Sequence, residues 1–517
     1  MSKILVTGGA GFIGSHLTDK LIAEGHEVIC LDNFFSGERK NIAHHLDNPE
    51  FRLIKHDVSL PYDYAFDHLD RIYNLACPGS PVHYQFDPVK TLNTSVAGIQ
   101  NMLALARQTG ARLLQASTSE IYGDPTEHPQ QESYWGNVNT MGERACYDEG
   151  KRAAETLCKD YHLQYGVDVR IARIFNVYGP RMLFNDGRVI SNFILQALLG
   201  DELTVHGNGE QTRSFCYIDD FIKALTGLME AETDYHPCNI GNPDERSMNN
   251  LAELVKTMTL SKSEIVHLPY EKVPGRLGDV MKRQADISRL KALINWQPKV
   301  DFRLGLQKTI DNFKERLTHK PHVLVLAPAY LPLAGPAENA VAEIITRLPA
   351  WEFDIITARL DKKLAKEEHN GPVHIYRLGR GQNFDKYLLP LKAAALASQL
   401  HKKYNYRLAW AIMASYGALA AFLFSQMTRV PFLVSVYEGD ISSKMLKRGG
   451  LFSPVYKLIF SRAHRLQLIA KMNEQQRAWL ENERHVQVVK FDEDWQALAK
   501  RTKEMFQELE ILSTRIR

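Results

Sequence analysis

The stretch KILVTGGAGFIGSHL, residues 3–17, decides how the chain begins to fold. A short β-branched run leads into three glycines, Gly8, Gly11 and Gly14, and then into a helical pattern. Glycines at this spacing between a strand and a helix let backbone amides approach a pyrophosphate at the positive end of the helix. The stretch therefore predicts the strand, turn and helix of a dinucleotide-binding site.

The second strand-like run, HEVICLD, ends in Asp32, at about the 20-residue distance at which an acidic residue binds the adenosine ribose. A carboxylate at this point favours NAD, because it would repel the additional phosphate of NADP. Asp57 follows the third strand in KHDV, and we predict that it meets the adenine edge.

From Lys3 to about Leu317, short β-branched runs alternate with helix-length amphipathic stretches. This order predicts an α/β fold with a doubly wound parallel sheet and a small substrate-binding subdomain. A polar stretch, RLTHKPH, ends the unit, and the strand-like run HVLVLAPAY starts a second one. We therefore predict two domains, 1–317 and 320–517, the second also Rossmann-like. At 517 residues the chain is too long for one core.

The overall composition narrows the function only slightly. A formal net charge of +3 is too small to indicate a nucleic-acid partner. The six cysteines lie in the first half without a CxxC spacing, and no secretory leader is recognisable, so we expect a cytoplasmic protein. The longest uncharged run, 408–424, is too short to span a bilayer and predicts a strand and a helix start, interrupted near 415–417.

The segment CYDEGKRAAE, residues 146–155, places Tyr147 one helical turn before Lys151. A phenol titrates near 10 and is a poor base at neutral pH, but a nearby ammonium and a bound nicotinamide cation would stabilise the phenolate. Upstream, a strand ends at Thr118, whose hydroxyl can bond both the phenol and a substrate hydroxyl, and Glu120 follows. These four residues predict an acid–base site.

The first 317 residues resemble the extended short-chain dehydrogenase/reductases and, among these, the UDP-glucuronate decarboxylases. The stretches that carry this resemblance include VTGGAGFIGSHL, NLACPGSPVHYQFDPVKTLNTSVAG, STSEIYGDP, CYDEGKRAAETL and GNGEQTRSFCYIDD. The choice of a decarboxylase depends on TSE, NDGR and Arg276. The resemblance implies further cofactor contacts at Phe12, Ile13, Asn33, Val58 and Leu75.

The resemblance also implies a reaction. Tyr147 would take the proton of the sugar 4-hydroxyl while NAD accepts a hydride, and the resulting β-keto acid would lose carbon dioxide and yield UDP-xylose. Glu120 would take part in acid–base work, and Arg276 would orient the substrate and stabilise charge. Asn176, Arg188 and Arg213 would contact the nucleotide sugar, since amide and guanidinium groups suit uracil, hydroxyls and diphosphate. A homodimer is implied as well.

Two other functions remain open for this unit, a UDP-sugar 4-epimerase and a nucleotide-sugar-binding scaffold. No metal is expected. Asp219 and Asp220 are predicted to cap the helix FIKALTGLM. His44 and His45 are adjacent, and on a helix they are expected to point in different directions.

Residues 320–517 resemble the amino-terminal half of a GT-B glycosyltransferase, through YLPLAGPAENAV and SVYEGD. The paired glutamates of the donor-binding half are missing, so this domain is predicted to be non-catalytic, with transfer of xylose as the alternative. As an interaction module it could dock on a glycosyltransferase partner or on an anionic membrane surface. Residues 441–473 carry seven Lys and Arg side chains without an acidic one, which suits such a surface; a solvated basic helix face is the other interpretation.

Overall fold

The structure is a computed structural model of the chain. It describes residues 1–61, 66–184, 187–270, 280–318, 320–333, 335–348, 351–413, 416–437, 453–469, 486–489 and 495–516. The chain divides into two compact units, Met1–Arg316 and Leu317–Arg517.

The first unit is built on a seven-stranded parallel sheet in the order β10-β6-β5-β4-β1-β2-β3. The strands of this unit are β1 Lys3–Thr7, β2 Glu27–Asp32, β3 Phe51–Lys55, β4 Arg71–Asn74, β5 Arg112–Thr118, β6 Val169–Ile174, β7 Asn176–Tyr178, β8 Leu203–His206, β9 Thr212–Tyr217, β10 Cys238–Ile240, β11 Glu245–Ser247, β12 Ile265–Leu268 and β13 Lys282–Arg283. The prediction of a parallel sheet from residue 3 onward is therefore confirmed.

Helices cover this sheet and connect its strands. They are α1 Phe12–Ala23, α2 Pro81–Phe86, α3 Pro88–Thr109, α4 Ala145–Tyr165, α5 Val189–Leu199, α6 Ile218–Glu230, α7 Met248–Thr259, α8 Ser288–Ile294 and α9 Phe302–Thr318, with short 3₁₀ helices at Arg39–His45 and Ser119–Tyr122. Apolar strand residues such as Leu5 and Leu113 pack against Ile99 of α3 and Cys158 of α4, all fully buried. This burial explains the nearly continuous apolar strand sequences.

The strand order reverses at β1. The chain runs outward from β1 to β2 and β3, and then returns to place β4 on the other side of β1. In doubly wound sheets ligands bind in the crevice at such a switch point, beyond the carboxyl ends of the strands. Gly8 follows β1 and Leu75 follows β4 at this position.

A smaller sheet completes the first unit. Strands β11, β9 and β13 lie side by side, with β7 also paired to β9, and β12 pairs with β8. The register of this sheet places Arg213 of β9 directly beside Arg283 of β13. A small subdomain is therefore present, and its role in binding the substrate stays a prediction.

The second unit has its own eight-stranded sheet in the order β16-β17-β15-β14-β18-β19-β20-β21, parallel except for β16. Its elements are β14 His322–Leu326, α10 Pro336–Thr346, β15 Glu352–Ala358, β16 Glu367–Asn370, β17 Val373–Leu378, α11 Asp385–Tyr404, β18 Ala409–Ile412, α12 Tyr416–Thr428, β19 Phe432–Tyr437, α13 Ser453–Arg462, β20 Arg465–Ile469, β21 Val486–Val489 and α14 Trp495–Ile516. A second parallel α/β domain is confirmed. Its likeness to half of a GT-B enzyme stays a prediction.

Two local predictions have different outcomes. The uncharged run 408–424 forms β18 and the start of α12, as expected, and among the described residues no helix is long and apolar enough to cross a bilayer. The capping role of Asp219 and Asp220 is wrong, because no side chain caps α6. Asp220 instead accepts hydrogen bonds from the amides of Lys299 and Val300, at 2.7 and 2.6 Å.

Candidate active site

A cavity of about 350 Å³ opens at the carboxyl ends of the central strands of the first unit. It brings together nearly all of the residues that the sequence singled out. The predicted residues that line it are Gly8, Gly11, Phe12, Ile13, Gly14, Asp32, Asn33, Val58, Leu75, Thr118, Glu120, Tyr147, Lys151, Asn176, Arg188 and Arg213.

The glycine turn at one end of the cavity has no room for side chains. A Cβ atom on Gly14 would lie 2.1 Å from the carbonyl oxygen of Gly8, and Gly8 itself has a φ of +69°. Gly11 precedes the first residue of α1, and its amide donates to the Gly8 carbonyl at 3.0 Å. The backbone at the positive end of α1 is therefore open to a phosphate-bearing ligand.

Asp32 lies at the end of β2 and lines the same cavity, with a 6% exposed side chain. Its carboxylate accepts the amides of Ala10 at 2.9 Å and Phe34 at 2.7 Å. Burial raises the pKa of Asp32, and these two amide bonds offset the effect only in part. Because each carboxylate oxygen retains a free lone pair, ribose hydroxyls could complete its hydrogen bonding.

Asp57 is held by neighbouring side chains, and its contact with the adenine edge stays a prediction. Its carboxylate pairs with Lys90 and accepts hydrogen bonds from Asn33 at 3.2 Å and Ser59 at 2.8 Å. Burial would raise the pKa of Asp57, but the bonds from Lys90 and Ser59 outweigh it and hold the pKa below its usual range. Asp57 thus supports the cavity wall, while the adjacent Val58 lines it.

Tyr147, Thr118 and Lys151 form one connected group at the centre of the cavity. Tyr147 lies in the first turn of α4, and its phenol is hydrogen-bonded to the hydroxyl of Thr118 at the end of β5. The ring stacks on Tyr84 with centroids 4.9 Å apart. Lys151 lies one turn further, 5.8 Å from the ring centroid, and its Nζ donates to the Ala116 carbonyl at 2.7 Å.

The environment of Tyr147 opposes ionisation in the protein by itself. Burial raises the pKa of the phenol, the neighbouring Cys77 adds to this, and the bond to Thr118 compensates only in part. Burial thus favours the protonated phenol as long as the cavity holds no ligand. A positive charge brought into the cavity by a ligand would be needed to bring this pKa toward neutrality.

Glu120 is held between two arginines. Its two carboxylate oxygens pair with Arg144, just before α4, and with Arg283 of β13. Burial opposes ionisation, but the charges of Arg144 and Arg283 outweigh it and lower the pKa of Glu120 to about 2. In this state Glu120 is a fixed negative charge and a very weak base, so the acid–base role expected for it requires that a ligand first displaces an arginine.

Arg283 is a cavity residue that the sequence analysis missed. Its side chain is 3% exposed, and the pairing of β13 with β9 places it beside Arg213, which is 9% exposed. With Arg144, three guanidinium groups thus line the cavity around Glu120. Arg276, the arginine that the sequence suggested, lies outside the described residues.

A second carboxyl group belongs to this neighbourhood. Asp148 follows Tyr147 on α4, is 7% exposed, and its Oδ1 has no hydrogen-bond partner. Burial raises the pKa of Asp148 to about 7, and the charge of Glu120 contributes in the same direction. Near neutral pH the cluster therefore carries three cationic groups, one full negative charge and one partly protonated carboxyl, which leaves an excess of positive charge.

The two remaining predicted residues come from β7 and from the position before α5. Asn176 begins β7 and donates to the Ser214 carbonyl at 3.3 Å. Arg188 directly precedes α5 and donates to the Gly79 carbonyl at 3.0 Å. Both line the cavity together with Tyr147, and both carry groups that can bond a polar ligand.

Comparison with curated proteins identifies close relatives of the first unit. The chain is 53% identical to UDP-glucuronic acid decarboxylase 1 of Arabidopsis thaliana over 318 residues, which are 62% of this chain and 71% of the relative. It is 54% identical to UDP-glucuronic acid decarboxylase 6 of the same plant, over 61% of this chain and 90% of the relative. UDP-glucuronic acid decarboxylase 1 of Xenopus tropicalis is 51% identical, over 65% of this chain and 76% of the relative.

Solved structures show the same fold. A UDP-glucuronic acid 4-epimerase variant of Bacillus cereus, solved with a UDP-sugar and NAD, superimposes with a TM-score of 0.55 at 28% identity, over 61% of this chain and 99% of the epimerase. A dTDP-glucose 4,6-dehydratase of Streptomyces venezuelae with bound NAD gives 0.55 at 26% identity, over 61% and 98%. The profile of the GDP-mannose 4,6 dehydratase family matches residues 5–309. The chain belongs to this family.

Proposed function

We propose that the first unit decarboxylates UDP-glucuronate to UDP-xylose with NAD as a recycled cofactor. The observation that carries this proposal is the excess positive charge of Arg144, Arg213 and Arg283 around Glu120, in the same cavity as Tyr147. Guanidinium groups bind carboxylates in charge-assisted, often bidentate pairs. A sugar acid is therefore a better ligand for this cavity than a neutral sugar.

The relatives support the same assignment, since proteins at 51–54% identity are named UDP-glucuronic acid decarboxylases. The family profile matches residues 5–309, which contain every described cavity residue. This similarity supports the same reaction class for the first unit.

The residues fit NAD. The open glycine turn would hold the pyrophosphate, and the buried Asp32 would bond the adenosine ribose, for which its carboxylate retains acceptor capacity. When bound, NAD would supply a hydride acceptor and the positive charge of its nicotinamide ring. Lys151 is held by Ala116 in a position from which it can also bond the nicotinamide ribose.

The chain's own residues then have separate tasks. Tyr147 takes the proton of the sugar 4-hydroxyl, and Thr118 holds the phenol and this hydroxyl in line. Arg283 and Arg213 hold the substrate carboxylate until carbon dioxide leaves, and afterwards stabilise the enolate charge. Glu120, released from an arginine by the incoming carboxylate, becomes able to take part in proton transfer at C5.

Two alternatives are testable in one experiment. The 4-epimerase among the structural neighbours favours epimerisation as the second candidate. Incubation of the protein with UDP-glucuronate and NAD should release carbon dioxide and form UDP-xylose. UDP-galacturonate without carbon dioxide would favour the epimerase, and binding without turnover would favour a scaffold. Detection of a UDP-4-keto pentose would show that an intermediate escapes before reduction.

We further propose that the protein works in the cytoplasm as a homodimer and that the second unit is a non-catalytic interaction module. Free cysteines suit a reducing compartment, and Val89 on α3, 70% exposed, suits a helix-mediated dimer contact. In the second unit Phe384 and Leu391 are 64% and 71% exposed beside Lys386 and Lys392, which suits either a glycosyltransferase partner or an anionic membrane surface.

The membrane version of this proposal has a direct test. Only 453–469 of the predicted basic segment, 441–473, belong to the described residues. Flotation of the full chain with vesicles of anionic and of neutral lipids should show selective recovery with the anionic ones. Equal recovery, or none, would leave the glycosyltransferase partner as the better proposal. Light scattering after size exclusion tests the dimer.

A further inference from the structure

Outside the active-site cavity, Asp19, His44 and His45 converge on one point at the surface of the first unit. Asp19 lies on α1, and the two histidines end the 3₁₀ helix Arg39–His45. Both imidazole Nε2 atoms lie close to a single oxygen, Oδ1 of Asp19, at 2.9 Å from His44 and 2.8 Å from His45. The three candidate ligand atoms lie within 4.8 Å of one another.

This geometry differs from what adjacent histidines on a regular helix would give. The two rings lie 4.0 Å apart with an interplanar angle of 44°, and they face the same carboxylate. The expectation that His44 and His45 point in different directions is therefore wrong.

The geometry points to a binding site for one divalent cation of the Zn²⁺ class, with His44, His45 and Asp19 as ligands; we propose this site as a new feature of the protein. Two imidazoles and one carboxylate form a common ligand set for zinc, with water in the remaining position. Ligand atoms at about 2.1 Å from a tetrahedral ion are about 3.4 Å apart. From the present distances of 2.9 and 2.8 Å, each imidazole nitrogen would move about half an ångström away from Oδ1 to reach this spacing.

The surroundings allow the ion to enter. The His44 side chain is 49% exposed and that of Asp19 is 31% exposed, so water can reach the open side. Arg181 pairs with the other oxygen of Asp19, Oδ2, at 2.7 Å and leaves Oδ1 available.

A bound ion would fasten α1 to the segment that follows β2. Because α1 starts at the glycine turn and β2 ends at Asp32, the ion would stabilise the framework of the dinucleotide site without touching the cavity. An ion that binds the folded but not the unfolded chain raises stability by mass action. The site is thus expected to affect the melting temperature, independently of whether the proposed reaction is correct.

The test uses the full chain without a polyhistidine tag. Calorimetric titration with Zn²⁺ should show one saturable site per chain, and Zn²⁺ should raise the melting temperature. The substitutions His44→Gln and His45→Gln should each weaken Zn²⁺ binding by more than about tenfold, since even the loss of an outer-shell partner costs 10- to 100-fold. Co²⁺ should give visible absorption bands without a thiolate charge-transfer band, which excludes a cysteine site.

A matched control is His68→Gln. His68 forms a comparable histidine–carboxylate pair with Asp70 at 2.9 Å in the same unit, but without a second histidine. This variant should bind Zn²⁺ like the unchanged protein. Absence of saturable binding, or equal affinity in the His44 and His45 variants and the control, would overturn the proposal and leave the cluster as ordinary ion pairs.

Discussion

Among single residues, Tyr147 carries the most direct prediction. Tyr147→Phe removes the phenol but keeps the ring that stacks on Tyr84 at 4.9 Å. We expect turnover of UDP-glucuronate to fall by at least about 10²-fold, the usual contribution of a positioned acid or base. Binding of UDP-glucuronate, measured by calorimetry, should change little. Retention of the full rate would show that another group removes the proton.

Substitution of Arg283 tests whether its positive charge selects the substrate carboxylate. Arg283→Met should weaken binding of UDP-glucuronate by about 10- to 100-fold, because a charge-assisted bond to the substrate carboxylate is lost. Binding of UDP-glucose, which lacks this carboxylate, should change much less. Arg246→Met is the matched control, since Arg246 lies on the other side of Arg213 in the same small sheet and packs on Phe302. Equal weakening of both ligands would contradict the role.

On the scale of elements, the first turn of α4 should make the stability of the first unit depend on pH in an unusual way. Burial raises the pKa of Asp148 from 3.8 to about 7, so the folded protein holds its proton more tightly than the unfolded chain. The stabilising contribution is complete below pH 3.8 and is lost as the pH rises to about 7. Its sign is opposite to that of Glu120, whose depressed pKa contributes stability that is lost in acid.

Asp148→Asn should remove this dependence. As the pH is raised from 5 to 7.5, the free energy of unfolding of the variant should increase relative to that of the unchanged protein by up to about 2 kcal/mol. Urea denaturation of both proteins at the two pH values, followed by the fluorescence of the first unit, measures this difference in the free energy of unfolding. Asp160→Asn on the exposed side of the same helix is the control. A pH-independent difference between the two proteins would contradict the assignment.

The elements also show which features of the site could be predicted from the sequence. The glycine turn, Asp32 and the Tyr147–Lys151 pair are local patterns, in which a few neighbouring residues determine both the backbone and the chemistry, and all of them line one cavity. Arg283 could not be found in this way, because it comes from a two-residue strand whose position depends on pairing with β9. The adenine contact of Asp57 stays a prediction, but its pairing with Lys90 could not be predicted from the sequence, since Lys90 comes from a distant helix.

At the scale of the whole molecule, each unit has its own sheet and its own buried core. Helix α9 closes the first unit with the fully buried Ile310 and Phe313, and the described cavity residues all precede it. The second unit buries a separate set of strand and helix residues, including Trp410 and Phe424. Units with independent cores are able to fold separately.

A fragment of residues 1–318 should therefore decarboxylate UDP-glucuronate with the same kcat/KM as the full chain. It retains α9 to its end at Thr318 and loses no residue of the cavity. Circular dichroism and light scattering would confirm that the fragment is folded and has the same oligomeric state. A folded fragment with a much lower kcat/KM would show that the second unit acts on the active site. Equal kcat/KM values would mean that the second unit contributes only to partner binding or to localisation.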